Sequence, residues 1–236
     1  SWNDLFNYLS KVEKFPINLI LASGLAISKD NSDKIYDRFR NRLIVPIHDM
    51  QGRVVAFGGR SLDGQEPKYL NSPESEIFEK GKMMFAFEKA SSNIRKRDKA
   101  IIVEGYFDAI SLHSKGITNS VASLGTALNK YQISQLCRCT DNKNIILNFD
   151  SDNAGILATK RVIKEVESLS IHDQINLKIL QLSHFKDPDE YLNSHTPEDY
   201  FNLIDNSSFW IDWEIEQIFK DQDLTKSEIF QSVISS

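Results

Sequence analysis

Six carboxylates follow short aliphatic runs in this chain, and their types and spacing suit metal chemistry. Glu104 comes directly after Ile101–Val103 and before Gly105, with Asp108 close behind; Asp150 and Asp152 follow Ile145–Phe149; Asp187 and Asp189 follow Leu177–Leu180 at a short distance. Apolar runs without alternation are expected of strands covered on both faces of a parallel sheet. The loops leaving such strands gather along one sheet edge, where ligands bind, so the six acids are expected to meet there. Carboxylates crowded into one cleft repel each other unless cations sit among them, and hard oxygen donors favour Mg²⁺. Singly, each piece is weak. An Asp at a helix start stabilises by capping and dipole effects of up to ~1 kcal/mol, which alone could account for Asp108 and Asp152. Three acidic turns at successive strand ends are what point to a metal site.

The elements that must position these acids are legible around them. Tyr106–Lys115 has helical period and Gly116 is a stop; Ser120–Ala122 reads as a strand, Leu124-Gly125-Thr126 as a tight turn, Asn129–Cys139 and Ala154–Glu167 as helices. Asp152 or Asn153 can cap the last of these, and Asp187-Pro188-Asp189 opens another helical stretch. The segments between the strands have the length a βαβ crossover needs. Beyond Thr196, a cap followed by Pro197, the pattern is helical to the end. There Trp210, Trp213, Ile215 and Ile218 form a stripe expected to be core.

Upstream the character changes. Residues 1–33 are expected to be mostly helical, with Leu5, Leu9, Val12 and Phe15 at helical spacing, Pro16 as a break, a second short helix over Ile17–Ala22 and Gly24–Ile27, and a surface loop at Lys29–Lys34. DRFRNRLIVPI then places Arg38, Arg40 and Arg42 alternately with Phe39, Asn41 and Leu43, the two-residue repeat that would set three guanidinium groups on one strand face. Leu43–Ile47 and Arg53–Phe57 read as a hairpin, and Gly58-Gly59 before Arg60 lets the backbone approach something closely. A loop follows with Lys68, Tyr69, Asn71, Ser72, Lys80 and Lys82, and Met83–Arg97 reads as a helix. Cations interleaved with aromatic and amide side chains are what nucleic-acid grooves use, although a solvated basic strand would look much the same.

The fold class is therefore α/β, mixed α+β overall: an N-terminal basic α+β subdomain over residues 1–98, a central parallel-sheet domain over 99–195 and a partial C-terminal helical subdomain over 196–236. The net charge of −5 hides an asymmetry. Lys34–Lys99 carries 14 of the 28 basic residues and 9 of the 33 acidic ones, leaving the remainder strongly acidic. A basic neighbour beside an acidic cleft suits a protein that holds metal and a polyanion together. No apolar run approaches the roughly 20 residues of a membrane span. The two cysteines, Cys137 and Cys139, are too few for a zinc site and too close for an ordinary bridge, which points to a reducing compartment.

VEGYFDAISLHSKGITNSVASLGTAL, NFDSDNAGILATKR and FKDPDEYL resemble the TOPRIM domain of bacterial DnaG-type DNA primases. TOPRIM alone would leave topoisomerases and some nucleases open. The upstream YDRFRNRLIVPIHDMQGRVVAFGGRSL and PKYLNSPESEIFEKGKMMF resemble the basic half of the same RNA polymerase core, so the resemblance runs over about residues 1–205. It implies an enzyme, a DNA-directed RNA polymerase that makes short RNA primers on single-stranded DNA from ribonucleoside triphosphates. The implied catalytic residues are Glu104, Asp108, Asp150 and Asp152. Metal ligation falls to Glu104, Asp150, Asp152, Asp187 and Asp189, with Mg²⁺ as cofactor and Mn²⁺ able to substitute. Template and nucleotide phosphates fall to Arg38, Arg40, Arg42, Arg60, Lys68, Tyr69, Asn71 and Lys80. The family's D-G-D is here Asp150-Ser151-Asp152, and a Cβ at Ser151 limits positive φ, so a slightly different turn is expected. The resemblance further implies a cytoplasmic protein, an upstream zinc domain and a C-terminal domain binding the replicative helicase; neither domain is in this sequence, which reads as an excised catalytic core. A metal-dependent nuclease and an inert nucleic-acid-binding protein are the rival readings.

Overall fold

In the computed structural model, residues 2–28, 34–125, 127–173, 175–182 and 184–220 are described, and the chain divides into two units, Ser1–Glu88 and Lys89–Ser236. In the first, α1 (Asp4–Asn7) runs into a π-helical turn at Tyr8–Val12, and α2 (Ile17–Ala22) starts after Pro16. The second helix stops earlier than its sequence suggests. Gly24 takes φ +70°, where a Cβ would run into the Pro73 ring. The residues expected to continue the helix instead form β1 (Ala26–Ser28), antiparallel to β2 (Ile35–Asp37); most of the expected Lys29–Lys34 loop lies outside the described residues. Asp37 is buried, and its carboxylate accepts the N–H groups of Leu5 and Phe6 at 2.9 and 2.8 Å. That satisfies donors a helix start otherwise leaves orphaned.

The hairpin forms as expected from β3 (Arg42–His48) and β4 (Val54–Ser61). Its turn is held by Asp49, whose Oδ1 accepts from the Gln51 and Arg53 N–H groups at 2.9 Å each. The predicted loop after it contains a strand: β5 (Tyr69–Asn71) pairs antiparallel with β4, giving the order β3-β4-β5. A single 3₁₀ turn follows at Lys80–Lys82. α3 (Phe87–Arg97) begins later than Met83, after Ala86 at φ +63°.

In the second unit the aliphatic runs give β6 (Ala100–Val103), β7 (Ser120–Ala122), β8 (Asn144–Asn148) and β9 (Asn176–Ile179), all mutually parallel. Between them run α4 (Tyr106–Ser114), α5 (Lys130–Cys137) and α6 (Asn153–Asp173). Then come α7 (Pro188–Leu192), α8 (Pro197–Asp205), a two-residue β10 (Ser208–Phe209) antiparallel to β9, and α9 (Trp210–Lys220). Ile101, Ile102 and Val103 are fully buried, each worth about 1.5–3 kcal/mol on the transfer scale, which is why β6 reads as an unbroken apolar run.

The sheet order β10-β9-β8-β6-β7 contains the detail that matters. The chain steps from β6 outward to β7, then reverses past β6 to β8 and on to β9. Right-handed crossovers therefore put α4 on one face and α5 and α6 on the other, and α4 packs with α7 while α5 packs with α6. Where the direction reverses, the loops after β6 and β8 part and leave a crevice at their carboxyl ends. The aromatic stripe splits: Trp213 is 2% exposed, but Ile215 and Ile218 are 45% and 43% exposed. No helix among the described residues is long and apolar enough to cross a membrane.

Candidate active site and nucleic-acid interface

The reversal in strand order selects Glu104 and Asp150. Val103 of β6 is registered with Asn148 of β8, so the residues just beyond leave neighbouring strands at the same end. Ser123, just past β7, ties that edge to β6: its N–H donates to the Val103 carbonyl at 3.3 Å and its Oγ to the Glu104 carbonyl at 3.0 Å. Three of the other acids are fixed by helix starts. Asp108 Oδ2 accepts the Gly105 N–H at 3.0 Å, Asp152 Oδ1 the Gly155 N–H at 2.9 Å, and Asp187 Oδ1 the Glu190 N–H at 2.9 Å. Each uses one carboxylate oxygen for the fold. Ser151 is not at positive φ; it bridges the turns instead, its N–H donating to the Lys186 carbonyl and its Oγ to that of Phe185, both at 3.3 Å. The departure from glycine thus costs no backbone strain.

Three of the six acids are raised by burial and by neighbouring charge. Burial, then the charge of Asp152, raises Glu104 above the usual carboxylate range, opposed by a hydrogen bond from the Asp150 backbone and by Lys186. Asp150 is pushed up to about 6, by burial and then Glu104, with Asp187 and Asp152 adding to it. Asp108 is pushed up to about 7, by burial and then Asp187, Asp150 and Asp189. This is the signature of negative charge concentrated in low dielectric. Yet among the described residues no three His, Cys, Asp or Glu side chains already stand close enough together to hold a metal ion, so the expected multi-acid cage is not assembled. Asp108, Asp152 and Asp187 are each turned towards a helix start by the backbone N–H they accept. The donor set still fits a hard divalent cation, because Mg²⁺ is ordinarily held by one or two carboxylates with phosphate oxygens and water completing the shell. Glu104 Oε2 supports that fit: it is buried and has no hydrogen-bond partner.

Three residues here escaped sequence reasoning. Lys186 Nζ stands 4.0 Å from Asp150 Oδ2, a cation among the acids whose only signal was its place beside Asp187. Asn148 Oδ1 accepts the Tyr200 hydroxyl at 2.7 Å, and its Nδ2 donates to the Leu180 carbonyl at 3.1 Å, locking the end of β8 to β9 and α8. Arg161, on α6, lines a cavity that also holds Glu104; nothing in the sequence distinguished it from a solvated helix arginine.

In the first unit the predicted basic face is rearranged. Arg38, Arg40 and Arg42 do not share a strand face, because β2 ends at Asp37, the chain bends at Arg38 and Phe39, and Asn41 takes φ +49° before β3 begins at Arg42. Arg38 donates from Nε and Nη2 to the Asn71 carbonyl at 3.1 and 2.9 Å. Arg40 donates to the Asp37 carbonyl and lies over the Trp2 ring. Arg42 reaches the Gly59 and Lys68 carbonyls at 3.4 Å. What approaches Gly59 closely is the chain's own Phe39 and Arg42, which a Cβ would meet at 2.8 and 3.1 Å. Ser72 is buried and accepts the Phe57 N–H, and the Lys80 N–H donates to Glu74. The structure does bring together Arg60, Tyr69 and Asn71. Arg60 is registered with Tyr69, and Gly58, two residues before Arg60, with Asn71, so the three side chains project from one sheet face. Lys68 Nζ lies over the Tyr69 ring at 5.6 Å.

The comparisons with known proteins match these two halves. Residues 1–91 match the DNA primase catalytic core, N-terminal domain family, and residues 101–192 the Toprim-like family. A DNA primase of Synechococcus elongatus is 48% identical over 100% of this chain and 34% of its own length; the chain spans about a third of the curated relatives it matches. A DNA primase domain from Pseudomonas aeruginosa superposes with a TM-score of 0.85 at 33% identity, covering 96% of this chain and 70% of that one. A DnaG primase catalytic domain bound to single-stranded DNA superposes at 0.82 and 30% identity, covering 97% and 72%. Together with the sheet order and the acidic strand ends of the second unit, these matches establish that the chain belongs to the DnaG-type DNA primase family, within its catalytic core.

Proposed function

We propose that this chain carries out template-directed synthesis of RNA primers on single-stranded DNA, by transfer of nucleotidyl groups from ribonucleoside triphosphates. The observation that carries the reading is that Glu104 and Asp150 leave paired parallel strands at the reversal of strand order, where burial raises both of them and Asp108 as well. Such a cluster is tolerated because the reaction brings cations and phosphates into it. Mg²⁺, with Mn²⁺ as substitute, would supply Lewis-acid stabilisation of charge on the phosphates when held by Glu104, Asp150, Asp152, Asp187 and Asp189. Glu104, its affinity for protons raised, accepts the proton of the attacking 3′-hydroxyl. Asp108 and the capped Asp152 and Asp187 hold the acidic edge in place. In the first unit Arg60, Lys68, Tyr69 and Asn71 contact template and nucleotide phosphates and bases. Arg38 and Arg42 mainly brace that sheet, Arg40 braces the end of β2 against Trp2, and Lys80 offers one further cation.

By function the chain then divides into a template-binding part at residues 1–98, a catalytic part at 99–195 and a helical piece at 196–236. It works in the bacterial cytoplasm, with a zinc domain and a helicase-binding domain belonging to the longer protein. The test is ribonucleotide incorporation on a defined DNA template with pyrophosphate release followed in parallel. The wild-type chain extends primers and Glu104→Gln does not, while binding single-stranded DNA as well. Normal incorporation by Glu104→Gln, or DNA cleavage without nucleotides, would overturn the assignment.

A further inference from the structure

The two ends of the parallel sheet in the second unit carry opposite charge. The carboxyl ends bear the acids. The amino ends bear Arg95, Lys96 and Arg97, closing α3, with Lys99 leading into β6, Arg138 at the end of α5 and Lys143 leading into β8. Asp98 staples these basic segments side by side: its Oδ1 accepts the Asp141 and Asn142 N–H groups at 2.6 and 3.1 Å, and its Oδ2 the Asn142 amide at 2.6 Å. Asp205 takes Lys99 at 2.6 Å through its carboxylate and Lys178 at 3.3 Å through its carbonyl. Arg95, Lys96, Arg97 and Arg138 are exposed, and none of them forms an ion pair among the described residues. The bland account is that cations suit the negative end of a helix. It falls short in magnitude, because each helix end supplies only about half a negative charge. Among the described residues Asp98, Asp141 and Asp205 are the acids standing with these seven cations. With the ends of α3 and α5 included, a surplus of about three positive charges remains.

We propose that this amino end of the sheet is a contact for the phosphodiester backbone of single-stranded nucleic acid. Lys99 and Glu104 bracket β6, and at about 3.3 Å per residue the two ends of the strand lie about 17 Å apart. That is about two Debye lengths at physiological salt, so phosphates at the basic end are screened from the acidic crevice. Arg97 favours nucleic acid over an acidic peptide. Its guanidinium carbon lies 4.5 Å from the centroid of the Phe201 ring, and an exposed guanidinium plane backed in this way is a surface on which an unpaired base stacks. Arg95, Lys96 and Arg138 meet the phosphates on either side. The choice of a nucleic-acid strand rests on the proposed template-directed reaction, in which a single strand is what the chain must hold. The basic end gives the acidic unit a hold on a polyanion that its crevice repels.

The test follows binding of a fluorescent single-stranded DNA oligonucleotide by anisotropy over a range of salt concentrations, in EDTA and without nucleotides. Each phosphate contact to a single strand contributes about 0.7 to the slope of log affinity against log salt. Arg95→Gln combined with Arg138→Gln should therefore lower the slope by about 1.4 and weaken binding by about tenfold or more at 0.1 M salt. Arg95→Lys combined with Arg138→Lys keeps both charges and should keep the slope, which separates lost charge from lost fold. Lys160→Gln combined with Lys164→Gln removes the same charge from exposed positions of α6 and should leave the slope as it was. An unchanged slope in the Arg95→Gln, Arg138→Gln variant, or an equal fall in the α6 control, overturns the proposal. So does binding of polyglutamate that this variant loses while its DNA slope stays the same, which would give the basic end to an acidic protein. The measurement needs neither metal nor turnover. A wild-type chain that fails to polymerise would thus sink the polymerase reading alone, and the salt slope would still decide whether the basic end holds a strand.

Discussion

Gly155 allows the acidic turn to be tested without touching an acid. A Cβ built at this position overlaps the Asp150 carbonyl oxygen and stands 2.8 Å from its carbonyl carbon and 3.0 Å from its nitrogen. All three are backbone atoms, so no rotamer change relieves the contact. In Gly155→Ala the Asp150-Ser151-Asp152 turn must retreat from α6 by about 1.4 Å to reach ordinary van der Waals distance. Overpacking of that kind costs about 1–3 kcal/mol. A displacement of about 1 Å in a catalytic group can cost about 100-fold in rate. The expected result is therefore a folded protein whose ribonucleotide incorporation falls by about two orders of magnitude, with Mn²⁺ affinity, followed by electron paramagnetic resonance, weakened as well. Gly116→Ala is the control. Its Cβ would meet nothing within 4 Å, but φ is +83°, so it loses about 1–2 kcal/mol through backbone strain alone and keeps its rate. Were Gly155→Ala to incorporate nucleotides at the wild-type rate, the turn would not be what positions Asp150, and the assignment built on it would fail.

Asp108 and Asp150 are raised from 3.8 to about 7 and about 6. A raised carboxylate contributes stability that is fully present below its unfolded pKa and lost as pH rises through its folded one. In EDTA, Asp108→Asn should therefore melt higher than wild type above about pH 7, with the gap closing towards about pH 4; a gap that does not vary with pH refutes the environment assigned to Asp108. Tyr200→Phe leaves Asn148 Oδ1 buried without its 2.7 Å donor and should cost about 1–3 kcal/mol in urea unfolding. A loss below about 0.5 kcal/mol would show that water replaces the hydroxyl there.

The parallel sheet was legible because β6, β7 and β8 are buried along almost their whole length, and burial on both faces leaves a run of apolar residues in the sequence. The caps were legible for a related reason: Asp152, Asp187 and Thr196 each stand where a helix start leaves unsatisfied N–H groups. The basic half was harder. Alternation of Arg38, Arg40 and Arg42 describes a strand only if the backbone stays extended, and here it bends at Arg38, Phe39 and Asn41 between β2 and β3. β5 was missed because it is three residues long and its apolar content is slight; the pairing with β4 makes it a strand. Arg161, Lys186 and the Asn148–Tyr200 bond depend on contacts between distant segments, which no local pattern encodes.

Asp108, Asp152 and Asp187 each divide their two oxygens between scaffold and cleft. Asparagine can fill the first office and not the second, since its amide oxygen accepts the same N–H while its charge is gone. A single nucleotide change at such a codon would thus keep the backbone contact and take one negative charge out of the cleft. Such a change leaves the architecture as it was and shows itself where charge is read, as in the pH dependence of melting.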